Sequence, residues 1–237
     1  MYKNKKILAI IPARGGSKGI KLKNLQKING KTLIEIVSNV VSQIHFIDKS
    51  IVSTDHIDIK NEAIKFHLSV PFLRPDNLSG DFVSDYHVIE DTLLKIESLD
   101  STIYDLIILL QPTSPARTAE QIINAIQYTI DNNYDSVWSL SPTDLKSHPL
   151  KQLILDGNNL KYYLDEGPNI IARQQLQQTY HRNGLFYVIT RDCLIKHKSI
   201  FGPKSSAIIF NDIYPNIDTK EDLQFAENFI NFKNKLD

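Results

Sequence analysis

Short apolar runs alternate with stretches of helical periodicity along this 237-residue chain. The run KKILAIIPA (Lys5–Ala13) is apolar through its centre and rich in Ile, the pattern of a central strand covered on both faces. A helix is predicted near Thr32 to Ile44, a second strand over SIVSTD (Ser50–Asp55), and a second helix over Ile59 to Phe66. After the polar loop LRPDNLSGD, a helix carries Val88, Ile89, Leu93 and Leu94, and DLIILLQ (Asp105–Gln111) is the plainest buried strand in the chain. The next helix follows QPTSPART, where Thr118 and Gln121 have capping-box spacing. SVWSLSP, NGLFYVIT and SAIIF read as later strands, and an amphipathic helix follows NIDTKED near the C-terminus. Strands alternating with helices imply βαβ units and a doubly wound, mainly parallel α/β sheet.

One region breaks that rhythm. Between residues 144 and 178, DGNN and DEGPN are turn signals flanking short β-type runs, so the expected organisation is a single domain over 1–237 with an inserted hairpin excursion at 144–178. Composition then narrows the class. With 27 basic and 27 acidic residues the formal charge is zero, so no global field favours nucleic acid or a membrane surface, and the basic residues must act locally. A single cysteine, Cys193, excludes an intrachain disulfide and a thiolate metal cluster. The first apolar run is too short for a signal h-region or a membrane span, which leads us to expect a cytoplasmic protein.

The candidate chemistry begins directly after the first strand. IIPARGGSKGIKLKN (Ile10–Asn24) is neither a Walker A loop, since Ser17 precedes Lys18, nor a GxGxxG loop. Gly15 and Gly16 nevertheless permit backbone angles that would turn several N–H groups toward one point, with Arg14, Lys18, Lys21 and Lys23 to neutralise an anion there. The same loop could be a solvated basic turn.

ARGGSKGIKLKN (Ala13–Asn24) resembles the signature of the CMP-acylneuraminate synthetases, the cytidylyltransferases that activate sialic acid and related nine-carbon keto-sugar acids. Colinear blocks extend the resemblance over nearly the whole chain: STD (Ser53–Asp55), RPDNLSGD (Arg74–Asp81), LLQPTSPAR (Leu109–Arg117), RQQLQQTYHRNGLFY (Arg173–Tyr187) and IDTKEDLQFAE (Ile217–Glu227). The resemblance implies a nucleotide-diphospho-sugar transferase-like fold, CTP and a nonulosonic acid as substrates, and a homodimer built through the excursion. It implies no nucleic-acid or membrane partner.

Transfer of CMP to an anomeric hydroxyl asks the protein for positioning and charge neutralisation. By resemblance, Arg14, Gly15, Gly16, Ser17 and Lys18 form the triphosphate site, with Lys23 and Asn24 at its tail. Arg74 and Asp81 are expected near the cytosine and ribose. Gln111, Arg173, Tyr180 and Phe186 are expected around the sugar acid, with Arg173 on its carboxylate and the two aromatics as an apolar wall. Lys151 is a second candidate cation, and Thr113 and Ser114 are readable as turn residues. Ser84 and Asp85 are readable as a helix N-cap and carry no site role here.

The family usually places two aspartates one residue apart near the C-terminus to hold a divalent metal, whereas this chain has Asn216-Ile217-Asp218. Alternation on an extended strand keeps both side chains on one face, so Asp218 with Asn216 is the expected Mg²⁺ site, and Arg14, Lys18 and Asp218 the expected catalytic set. Asp218 with Glu221 could also cap the last helix. No residue presents itself as a general base, and His181 is the only histidine that invites a test. The expected reaction is transfer of CMP from CTP to an N-acylneuraminate or legionaminate type acid with release of pyrophosphate. The alternatives are a cytidylyltransferase for pseudaminate or Kdo, or a CTP-binding homologue impaired in catalysis.

Overall fold

The computed structural model describes residues 1–235. The expected terminal helix reaches Leu236 and the expected domain span Asp237; both residues lie outside the described residues.

β1 (Ile7–Pro12) is followed by a small hairpin of β2 (Lys27–Ile28) and β3 (Lys31–Thr32), then α1 (Leu33–Val41), β4 (Lys49–Ser53) and α2 (Ile57–Lys65). The hairpin precedes the first expected helix. Its signal was present, since Asn29 and Gly30 both take positive φ, at 51° and 78°, the turn that Asn-Gly favours between antiparallel strands. α3 (Asp85–Asp100), β5 (Leu106–Leu109) and α4 (Ala119–Asp131) come next. The capping box of α4 forms: the Thr118 hydroxyl accepts from the Gln121 N–H, and the Gln121 side chain accepts from the Thr118 N–H. β6 (Ser136–Pro142), β7 (Leu153–Asp156), β8 (Asn159–Tyr162), β9 (Tyr180–Thr190), α5 (Arg191–Ile195), β10 (Ser205–Ile209) and α6 (Lys220–Lys233) complete the chain.

Two compact units result, one of Met1–Ser139, Asn183–Ile208 and Tyr214 onward, the other of Leu140–Arg182 with Ile209–Ile213. The first unit holds the central sheet in the order β10-β6-β9-β5-β1-β4. β1 pairs in parallel with both β4 and β5, while β9 runs antiparallel to β5. Parallel neighbours need a crossover, and here helices supply it; the chain that leaves at β6 returns at β9 with no intervening α-helix, which removes the constraint that keeps strands parallel.

Alternation along β1 explains why its sequence is apolar at every position. Leu8 and Ile10 pack with Ile51, Ile107, Leu109 and Ile189 against Ile89, Leu93 and Ile96 of α3 and Cys193 and Leu194 of α5. Ile7, Ala9 and Ile11, on the opposite face, are also fully buried. A sheet covered on both faces leaves its strand ends as the place where polar side chains can gather. A smaller cluster of Ile20, Ile28, Leu33, Ile217 and Ala226 anchors the loop after β1 to the segment before α6.

The second unit contains the expected hairpin. β7 and β8 pair antiparallel through Asp156-Gly157-Asn158-Asn159, with Gly157 at φ 62°. Both strands are exposed along their whole length.

Candidate active site

At the carboxyl ends of β1 and β5 lies a cavity of about 650 Å³ within the first unit. Arg14, Ser17, Lys18, Lys23, Asn24, Arg74, Asp81, Gln111, Asn216 and Asp218 all line it. Ten of the residues expected from sequence, drawn from four separate blocks, therefore meet in one place.

The loop after β1 works differently from expectation. Among the described glycines only Gly30, Gly157 and Gly184 have positive φ, so Gly15 and Gly16 do not form a cradle through left-handed backbone. Gly15 instead donates its N–H to Asp55 Oδ1 at 2.8 Å, and a side chain there would collide with His56. Gly16 faces open space. The close approach that the loop needs is at Gly19, where a methyl group would run into the Asp218 carbonyl oxygen. Asn24 is buried, and its Nδ2 donates to the Arg14 carbonyl at 3.0 Å, so it holds the loop's shape from beneath.

Charges in the cavity are paired in advance. Asp81 binds Arg14 Nη1 at 2.7 Å and Lys18 Nζ at 2.6 Å. Hydrogen bonds from Lys18 and then Arg14 hold the Asp81 carboxyl below its usual pKa. Lys23 Nζ donates to Asp218 Oδ1 at 2.8 Å.

Among the described residues Arg74 makes no such close ion pair. It is 6% exposed, its Nε and Nη2 make no hydrogen bond, and burial pushes its pKa down. Its backbone N–H on Thr54 O at 2.7 Å ties it to the STD block. Unspent donors on a buried guanidinium that lines a cavity are set up for a ligand with planar acceptors.

Gln111 projects from the end of β5, and its Nε2 donates to Asp85 Oδ2 at 3.3 Å. Asp85 also lines the cavity, a role that its helix-start position concealed. Ser84 makes no side-chain cap bond.

Near the C-terminus, Ile217 is fully buried and its N–H donates to Thr113 O at 2.9 Å. Its neighbours Asn216 and Asp218 are exposed to the cavity. The capping pair expected of Asp218 and Glu221 does not form. Thr219 is the N-cap of α6, and Asp222 Oδ2 accepts from the N–H groups of both Asp218 and Thr219, at 2.9 and 2.8 Å. The Asp218 side chain is thereby free of any capping duty. Among the described residues no group of three or more His, Cys, Asp or Glu side chains could hold a metal.

Of the other three expected sugar-site residues, Phe186 belongs to the first unit and Arg173 and Tyr180 to the second. Phe186 is fully buried on β9, with its N–H donating to Ser139 Oγ at 3.0 Å and its carbonyl accepting from the same hydroxyl. Its ring belongs to the core and offers no wall to a ligand, because the strand is covered on both faces. Arg173, on a short 3₁₀ turn, and Tyr180 are exposed in the second unit, as are Lys151 and His181, whose Nδ1 is 3.2 Å from Thr143 Oγ1.

A basic loop, a buried arginine with unspent donors and an oxygen-donor pair meet at one strand-end cavity. The cytidylyltransferase family matches residues 8–235, nearly the whole chain. This protein belongs to that family. The cytidylyltransferase is 32% identical over 222 residues to the CMP-N,N'-diacetyllegionaminic acid synthase of Legionella pneumophila, covering 93% of this chain and 94% of that protein. It is 33% identical over 224 residues to the pseudaminic acid cytidylyltransferase of Campylobacter jejuni, covering 94% and 95%. Among solved structures, a CMP-2-keto-3-deoxy-manno-octonic acid synthetase complexed with CTP superposes with a TM-score of 0.71 over 97% of this chain and 100% of that one. At 16% identity that likeness is one of fold.

The contact at Gly19 makes a test of the cytidylyltransferase loop. Gly19→Ala must push the loop away from Asp218, at a cost of about 1–3 kcal/mol by overpacking. Urea unfolding should show that loss together with reduced pyrophosphate release. Wild-type values for both would mean that the contact is not required.

Proposed function

We propose that this cytidylyltransferase transfers CMP from CTP to the anomeric hydroxyl of a nine-carbon nonulosonic acid, releasing pyrophosphate. The supporting observation is the single cavity of about 650 Å³ that gathers the basic loop, Arg74, Gln111 and the Asn216/Asp218 pair. Its size suits a nucleotide. The two similar enzymes whose names specify legionaminic and pseudaminic acids support an acceptor of that class.

The chemistry follows from the residues. The sugar hydroxyl gives up its proton to solvent as its oxygen bonds to the α-phosphorus and the bond to pyrophosphate breaks, and negative charge passes to the leaving group. Arg14 and Lys18 neutralise that charge when they exchange Asp81 for phosphate oxygens. The unspent Nε and Nη2 of Arg74 meet the carbonyl and ring nitrogen of cytosine, which distinguishes it from a base with donors at those positions. Gln111, oriented by Asp85, offers its remaining amide capacity to sugar hydroxyls. Arg173 remains the candidate partner of the acceptor carboxylate, and Tyr180 a candidate apolar wall for the sugar.

Asp218 and Asn216 offer one carboxylate and one amide oxygen, hard donors that fit a Mg²⁺ ion completed by phosphate and water oxygens. When bound, Mg²⁺ would supply charge neutralisation on the phosphates. The β7–β8 hairpin exposes Leu153, Ile154, Leu155 and Leu160, with Leu155 at 72%. A two-stranded hairpin with an apolar surface is marginal alone, and we assign it to a second copy of this chain. No described helix is long and apolar enough to cross a membrane, and a cytoplasmic site of action fits the nucleotide substrate.

The deciding experiment is pyrophosphate release with CTP and Mg²⁺ against N-acetylneuraminic, legionaminic, pseudaminic and Kdo acids, with UTP and ATP as controls. Turnover is expected with CTP and a nonulosonic acid. Preference for Kdo, or silence with all four despite CTP binding, overturns the reading.

A further inference from the structure

Arg117 is not used by the reaction just described. It is 4% exposed, its Nη2 donates to the carbonyls of Gln111 and Gly184, and its Nε and Nη1 have no partner. No carboxylate pairs with it among the described residues, and burial pushes its pKa down to about 9. Holding an uncompensated guanidinium in the interior is costly, and an apolar side chain of similar volume would pack there without that cost. Arg74 shows the same pattern of buried, unspent donors, and it lines the nucleotide cavity.

Arg117 lines a different cavity. This one measures about 690 Å³, lies wholly in the first unit and shares no lining residue with the first. Lys31 and Lys233 join Arg117 on its walls, with Glu120 the one acid among the described lining residues. α4 begins at this wall with Thr118, so the positive end of a 13-residue helix adds to the field. Part of the lining is aromatic: Tyr214 and Phe229 have ring centroids 5.6 Å apart, and the Tyr214 hydroxyl accepts from Gln121 Nε2 in the first turn of α4 at 3.0 Å. Lys31 is exposed and makes no ion pair among the described residues.

We propose that this second cavity binds a small amphipathic anion, with its phosphate or carboxylate toward Arg117, Lys31 and the first turn of α4, and a ring or acyl body against Tyr214 and Phe229. Arg117 then gains the counter-charge that the fold does not supply. The same guanidinium holds the Gln111 carbonyl, so occupancy is felt at the reaction site. By linkage the effect is reciprocal.

Inorganic phosphate and phenyl phosphate separate the anion from the body. Each is titrated into the isotope-labelled protein with CTP saturating the first site, and backbone amide shifts are followed. Saturable binding is expected, tighter for phenyl phosphate, with shifts at residues 118–121 and 228–231, and Lys31→Glu should weaken it at least about tenfold, or 1.4 kcal/mol. Phenyl phosphate should also change KM for the sugar acid. Arg117→Met should abolish binding if it folds; if it does not fold, the exposed Lys31→Glu variant carries the test. Absence of saturable binding, shifts confined to residues 14–18, equal affinity for the two probes, or indifference to Lys31→Glu would each overturn the proposal.

Discussion

Asp218→Ala is expected to reduce metal-dependent pyrophosphate release by a factor on the order of 10³ while leaving thermal stability unchanged. The two halves of that expectation come from different atoms. Asp218 supplies the only carboxylate of the Asn216/Asp218 pair, and its Oδ1 is held by Lys23 in the cavity. The capping of α6 belongs to Thr219 and Asp222. Asp222→Ala is the matched control. It removes the acceptor for two backbone N–H groups and should cost about 1 kcal/mol, with much less effect on turnover. The sign of the pH dependence follows: hydrogen bonds from the Asp218 and Thr219 amides hold the Asp222 pKa down, so its contribution is complete above the ordinary carboxylate pKa. It fades as pH falls through the lowered value. Near-normal turnover in Asp218→Ala, measured across Mg²⁺ concentrations, would remove Asp218 from the mechanism. On the proposed Mg²⁺ role, Asn216→Asp should lower the Mg²⁺ concentration at which turnover saturates, since it adds a second carboxylate to the pair.

Arg74→Met should separate binding from stability in the opposite manner. A hydrogen bond from a charged donor contributes about 1.5–3 kcal/mol, so loss of the proposed base contact should raise KM for CTP roughly 10–100-fold. Discrimination against UTP should fall with it. The folded state, however, gives up a buried guanidinium with two unpartnered nitrogens and gains an apolar side chain of similar length. The midpoint of thermal unfolding should therefore hold or rise. A variant that unfolds early but binds CTP normally would show that Arg74 serves the fold and not the nucleotide.

Much of the site was legible because its residue types are unusual for their surroundings. A basic, glycine-rich loop directly after an all-apolar strand, and a Gln at the end of the plainest strand, stand out from any pattern of packing alone. Asp85 and Arg117 were not legible. Asp85 sits at the first position of α3, where an acid is ordinary, and only its approach to Gln111 gives it a part in the site. Arg117 ends a proline-rich turn where an exposed arginine would be unremarked, and its burial arises from Gln111 and Gly184, far apart in the chain but adjacent across β5 and β9. Gly19 was overshadowed by Gly15 and Gly16, because a constraint set by Asp218 leaves no mark near residue 19.

The amino-acid sequence by itself determined the elements. Local periodicity and capping chemistry act over a few residues, so β1, β5, the Thr118–Gln121 capping box and the β7–β8 hairpin could be read without coordinates. Tertiary structure decided the partners. Asp81 faces Arg14 and Lys18 and not Arg74, Phe186 enters the core and not a ligand wall, and Asp218 meets Lys23 across 195 positions of chain. Burial and electrostatic pairing depend on distances in space, which the folding of a sheet covered on both faces brings about and which spacing along the chain does not encode.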